Sequence, residues 1–203
     1  MRDTPDGGGG VGPPPWRVRS SRTALADRWI SVTAEAVEDA RGNVLDPFYV
    51  LDYPDWVQVV ALTPDERLVL VRQYRHGLRG ASLELPAGAM DAGDADPLAV
   101  GARELAEETG HAAREWRPVA SLHPNTATHR NRCHTVLALG CEPTGTLAHG
   151  PGEDIAVELH PWRAVVDRLA EGLLPQAMHV SALLLGLRAA GLLRFETAGS
   201  APA

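Results

Sequence analysis

Between Asp96 and Gly110 the chain carries signals for both ends of a helix. Asp96 suits the N-cap, and Pro97 suits the first helical position, where a missing N–H does no harm. Gly110 suits the left-handed residue that ends a helix. Leu98, Ala102, Leu105 and Thr109 recur at i, i+4, i+7 and i+11, a stripe expected to face a core. Upstream, VQVVAL (57–62) and LVLVRQYR (68–75) flank the turn TPDER and read as a strand hairpin. A hairpin, a glycine-rich loop and a capped amphipathic helix restrict the fold to one in which sheet and helix pack together.

The remaining segments agree. RWISVTAEAVED alternates in part, DARGN is a turn and DPFYVLDY is extended, so 16–56 reads as β structure. WRPVASL and CHTVLAL read as strands separated by HPNTATHRNR, and IAVEL follows a PGED loop as another. PWRAVVDRLAEG reads as a helix with Pro at its start and Gly at its end, and MHVSALLLGLRAAG as a largely buried one. The expected fold class is α/β: a mixed sheet with helices on both faces, plus a small N-terminal β subdomain. Residues 1–15, rich in Gly and Pro, and 197–203 are expected to be disordered tails.

Charge and composition narrow the function. The net charge of −7 disfavours long nucleic acid, whose phosphates demand a basic face. Two cysteines, Cys133 and Cys141, make no disulfide framework. The N-terminus lacks an apolar signal core, and the longest apolar run, Ala182–Leu187, is far too short to span a bilayer. The expectation is a soluble, cytoplasmic protein with no membrane partner.

The helix carries Glu104, Glu107 and Glu108 on an arc separate from the apolar stripe. At about 100° per residue, Glu107 and Glu108 flank Glu104. Like charges at this spacing repel by roughly 0.2–0.5 kcal/mol per pair. On the helix alone two readings stand: a solvated acidic face, or a site for a hard cation such as Mg²⁺ or Mn²⁺ that cancels the repulsion.

The preceding loop adds to this. Gly88, Arg103, Glu104, Leu105, Glu107, Glu108 and Gly110 together resemble the Nudix box, and RELAEETG matches it at every specified position. Three departures are visible. Asp94 stands where the family has Glu, eight residues rather than seven separate it from Arg103, and His111 occupies a usually apolar position. LVLVRQYRHGLRGASLELPAG looks like the segment before the box in ADP-ribose pyrophosphatase-like members.

The resemblance implies a Nudix α/β/α sandwich over 57–196, with 16–56 as a region that pairs two copies into a homodimer. It implies hydrolysis of the pyrophosphate in a nucleoside diphosphate-linked compound, ADP-ribose or a nucleotide sugar, with Mg²⁺ or Mn²⁺. By the same resemblance Glu104 and Glu108 are principal metal ligands, Glu107 is a third or positions water, and the backbone carbonyl near Ala87 faces the metal. Arg103 orients the glutamates. Arg75 contacts substrate, and Glu84 matches an acid at the metal or substrate edge. Arg72 and Arg130 are further substrate candidates, and Glu153, in a loop resembling one that carries a general base, is assigned as base ahead of Glu158. Strand alternation places Arg72 on the opposite face from Arg75. The other reading is a Nudix-like nucleotide-binding or regulatory module with little catalysis.

Overall fold

The computed structural model describes residues 12, 14–27, 29–145 and 154–194. Most of both expected tails, and Glu153, lie outside the described residues. The chain divides into two compact units: Met1–Tyr53 with Asn125–Arg130, and Pro54–Pro124 with Asn131–Ala203.

The first unit is an antiparallel sheet of β1 (Arg17–Ala26), β2 (Ser31–Glu38) and β3 (Val44–Asp52), with β2 in the centre. Being central, β2 buries Ala34–Val37, whereas every residue of β1 is exposed. Asp39 shapes the β2–β3 turn, accepting from the amides of Arg41 and Asn43 at 2.8 Å each. The segment Asn125–Arg130 joins this unit: Leu51 N–H donates to Thr128 O at 2.8 Å, and Tyr53 stacks on His129.

The second unit is built on β4 (Trp56–Leu62), β5 (Arg67–Arg75), β6 (Gly80–Glu84), β7 (Ala87–Ala89), the helix α1 (Pro97–Thr109), the short β8 (His111–Ala112), β9 (Glu115–Leu122) and β10 (Cys133–Leu139). Then come β11 (Glu142–Pro143), β12 (Ile155–Pro161), α2 (Trp162–Asp167) and α3 (Ala177–Ala189). The main sheet runs β12-β5-β4-β10-β9. It is mixed, because β4 and β10 pair in parallel while their other partners are antiparallel. The expected helix after Pro161 is cut short: α2 stops at Asp167 and a 3-10 turn, Leu169–Glu171, completes it.

β4 and β5 meet at the rung Leu62–Leu68 and then diverge. β6 fills the gap along β5 and β7 along β4, placing the Glu84–Gly88 connection in the opening of the sheet.

Alternation sends β4 side chains to two cores. Val60 and Leu62 join Leu68, Leu70, Leu137, Leu183 and Leu187 on the α3 side. Val57, Val59 and Ala61 join Val69, Val136 and Leu105 on the α1 side. Each helix presses a glycine onto the central strands. A Cβ on Gly101 of α1 would lie 2.7 Å from Val136, and one on Gly186 of α3 would lie 2.6 Å from Val60.

That contact adds to the expected core stripe of α1, of which Leu105 and Thr109 are buried and Leu98 packs against the core. Its buried residues are Val100, Gly101, Leu105, Glu108 and Thr109, while Leu98 and Ala102 are only partly buried. The residue without a side chain allows the closest approach, so the helix rests on Gly101 and its neighbours.

Candidate active site

α1 is held at both ends as its sequence requires. Asp96 accepts from the Leu98 amide at 2.9 Å, and Gly110 adopts φ 65° with its N–H on Ala106 O. This fixes the rotational setting of the three glutamates. Glu108 is only 7% exposed and accepts from the Ala87 amide at 2.9 Å. Glu104 lies over Gly88, where an added Cβ would fall 2.1 Å from its carboxyl carbon. Glu107 is more exposed than either of them.

Arg103 ties this group together. Its guanidinium is 3.0 Å from Glu104 and 3.6 Å from Glu107. It also lies 3.6 Å from Asp94, so the longer loop still delivers its acid to the box arginine. Asp94 also accepts from the Asp91 amide at 2.9 Å, closing its own loop.

A second ionic group sits beside the first. Arg75 donates two hydrogen bonds to Glu84, at 2.9 and 2.6 Å. The Glu84 side chain is 2% exposed, and His179 Nε2 of α3 lies 3.4 Å away. Burial opposes ionisation of Glu84, but bonds from Arg75, His179 and Ser82 outweigh it and hold the carboxyl well below the usual carboxylate range. The Glu84 hydrogen bond raises the pKa of Arg75, and the charge of Glu108 adds to the effect, linking the two groups.

Arg72 and Arg130 have ion-pair partners of their own. Arg72 pairs with Glu158 of β12 at 2.5 Å rather than joining Arg75. The Arg72 hydrogen bond, then that of His160, lowers the Glu158 pKa to about 2. Arg130 belongs to the first unit, where it pairs with Glu35 at 2.7 Å. Glu153, the assigned base, lies outside the described residues.

His179 was not singled out from the sequence. A lone histidine among the apolar residues of MHVSALLLGLRAAG was its only signal.

The donor set suits a hard cation. The carboxylates of Glu104 and Glu108 stand against the backbone of residues 87–88, and Gly88 has no Cβ to push Glu104 away. Among the described residues, however, no three His, Cys, Asp or Glu side chains already form a metal cluster. Both cysteines are buried free thiols. Burial pushes Cys133 up to about 11 and Cys141 up to about 12, which suits neither to act as a thiolate ligand.

The family model described as NUDIX domain matches residues 52–180, and one described as nucleoside diphosphate sugar hydrolase N-terminal domain matches 16–51. The chain is 32% identical over 110 residues to a methanol dehydrogenase activator of Bacillus methanolicus, covering 54% of this chain and 58% of that protein. It is 29% identical over 89 residues to an ADP-ribose pyrophosphatase of Bacillus subtilis (strain 168), covering 44% and 48%. It is 27% identical over 136 residues to an ADP-ribose pyrophosphatase of Mycobacterium tuberculosis (strain ATCC 25618 / H37Rv), covering 66% of each. The matches thus span about half to two thirds of the curated relatives' length. A crystal structure of an ADP compounds hydrolase superposes with a TM-score of 0.78 at 22% identity, covering 91% of this chain and 100% of that one, a likeness of fold. No described helix is long and apolar enough to cross a membrane. With a NUDIX match over more than half its length, the chain belongs to the Nudix hydrolase superfamily and is related to its ADP-ribose pyrophosphatases.

Proposed function

We propose that the protein is a metal-dependent hydrolase of a nucleoside diphosphate-linked compound, ADP-ribose or a nucleotide sugar. It cleaves the pyrophosphate to a nucleoside monophosphate and a phosphorylated product. One observation carries the reading: Glu104 and Glu108, on a helix fixed at both ends, stand directly against the backbone of residues 87–88. The names of the two ADP-ribose pyrophosphatases and of the sugar hydrolase N-terminal domain support the substrate class.

Glu104, Glu108 and Glu107, with the Ala87 carbonyl, would hold Mg²⁺ or Mn²⁺. Such a cation neutralises pyrophosphate charge and lowers the pKa of a bound water. Arg103 keeps Glu104 and Glu107 in place. Arg75, aligned by Glu84, presents positive charge to a substrate phosphate, where it stabilises charge on the leaving group. Glu153 takes the proton of the attacking water. Arg72, paired with Glu158, and Arg130, paired with Glu35, are further candidates for contact with substrate. A homodimer through the N-terminal sheet, where Trp16, Val18 and Leu25 are exposed, completes the reading. The site is cytoplasmic and takes a small nucleotide, not a long nucleic acid.

A second reading, a nucleotide-binding regulatory module with little catalysis, is favoured by the relative named as an enzyme activator. One experiment separates the two. Purified protein is incubated with Mg²⁺ or Mn²⁺ and a panel of ADP-ribose, sugar nucleotides, dinucleoside polyphosphates and NADH, and products are identified by mass. Metal-dependent release of a nucleoside monophosphate is expected. Cleavage of nothing in the panel removes the enzyme reading and leaves the regulatory one.

A further inference from the structure

On the α3 side of the second unit's sheet lies a cavity of about 260 Å³. It is lined by Gln58 of β4, Cys133 and Thr135 of β10, His123 just past β9, and Met178 and Ser181 of α3. No Asp, Glu, Lys or Arg lines it, so the cavity has no permanently charged group with which to hold a phosphate or a carboxylate. Its volume is below the roughly 300–1,000 Å³ of pockets that hold drug-sized ligands, and suits a single ring system.

Gln58 is 1% exposed, and its Oε1 has no hydrogen-bond partner among the described residues. A buried carbonyl oxygen left without a donor is unfavourable, so this atom calls for a donor supplied from the cavity. The Cys133 and Met178 sulfurs, 3.3 Å apart, give the wall a polarisable surface suited to the edge or face of an aromatic ring. The chemistry specified is a neutral, flat heterocycle that bears an N–H donor.

Neighbours of the cavity's lining residues link it to both ionic groups of the candidate active site. Gln58 stands opposite Ala87 in the β4–β7 pair, and the Ala87 amide holds Glu108. His179, between Met178 and Ser181 in α3, reaches Glu84, the partner of Arg75.

We propose that this cavity receives the nucleobase of the substrate and that Gln58 reads it through an N–H donor of the base. The substrate's identity as a nucleotide rests on the function proposed above. The base lies in the neutral cavity, and the diphosphate extends toward Arg75 and the box glutamates.

The test has two arms. First, adenosine, guanosine, cytidine and uridine, which carry no phosphate, are titrated into the full chain by calorimetry. The wild type is expected to bind at least one of them. Gln58→Leu is expected to weaken that binding about tenfold or more, the scale of a lost polar contact in a specific site. Because Gln58 is buried, Ser181→Trp provides a second variant: Ser181 is exposed on α3, so a large ring there blocks the cavity without entering the core. It is expected to abolish nucleoside binding with an unchanged melting temperature. Second, kcat/KM is compared across diphosphate sugars that differ only in the base. Gln58→Leu is expected to flatten the preference about tenfold.

Absence of nucleoside binding by the wild type, or binding unaltered in both variants, overturns the proposal. An equal fall in kcat/KM for every base also overturns it. Gln58-dependent nucleoside binding without hydrolysis of any diphosphate sugar supports the cavity and removes the hydrolase reading.

Discussion

Glu108 Oε2 accepts a hydrogen bond from the Ala87 amide at 2.9 Å, joining the last turn of α1 to the first residue of β7. The bond fixes one carboxylate oxygen against the backbone of β7. Glutamine keeps an acceptor for the amide but loses the charge. Glu108→Gln is therefore expected to melt within about 4 °C of the wild type, a shift corresponding to about 1 kcal/mol or less, while hydrolysis falls by about a hundredfold or more. Differential scanning calorimetry and initial rates check the two parts.

Gly88→Ala tests the close approach of Glu104. The added methyl would lie 2.1–2.3 Å from the carboxylate atoms, so Glu104 must move. The atoms displaced are the end of a flexible side chain, so stability should change by no more than about 1 kcal/mol. Manganese affinity, measured by titration calorimetry, should fall about tenfold or more, the scale seen when the support of a metal ligand is lost.

The Glu84 carboxyl is held below its ordinary range in the folded protein, so its ionised form stabilises the fold. That contribution is complete above the unfolded pKa of about 4.3 and is lost as pH falls through the folded value. The melting-temperature gap between wild type and Glu84→Gln is expected to be constant from about pH 8 to pH 5 and to narrow below about pH 4. A gap that widens on acidification contradicts the assigned ion pair with Arg75.

Gly101→Ala and Gly186→Ala are each expected to destabilise by about 1–3 kcal/mol, although alanine is the better helix former by about 1 kcal/mol. Their added Cβ atoms would lie 2.7 Å from Val136 and 2.6 Å from Val60. Pairing Gly101→Ala with Val136→Ala, or Gly186→Ala with Val60→Ala, should recover part of the loss. Urea denaturation of the four single and two double variants, as two double-mutant cycles, measures the coupling.

Glu153→Gln is expected to reduce turnover at least about a hundredfold, the low end of a general base's contribution, with little change in KM. Near-normal turnover moves the base to the box glutamates.

The strands and helices were legible because periodicity and caps are local: Asp96, Pro97 and Gly110 bound α1 as their chemistry requires. The box glutamates were legible because their spacing is fixed within one helix. The stripe on α1 was read incompletely because an apolar count gives no weight to glycine, and a Cβ on Gly101 would collide with Val136 of β10. His179 was missed because its meaning depends on Glu84, 95 residues earlier, and no local pattern records that pairing. Alternation did foretell that Arg72 and Arg75 part company, and their partners, Glu158 and Glu84, lie on different strands.

The parallel pairing of β4 with β10 joins Trp56 to Cys133 and Leu62 to Leu139. Each rung therefore closes a loop of 77 residues. At a ribosomal rate of about 5–20 residues per second, β4 waits roughly 4–15 s for this partner to be made. During that interval α1 and its glutamates are already synthesised, but Gly101 has no Val136 to rest on. The helix that carries the three box glutamates thus precedes the strand that seats it, and the apolar residues of VQVVAL stay without their parallel partner throughout that interval.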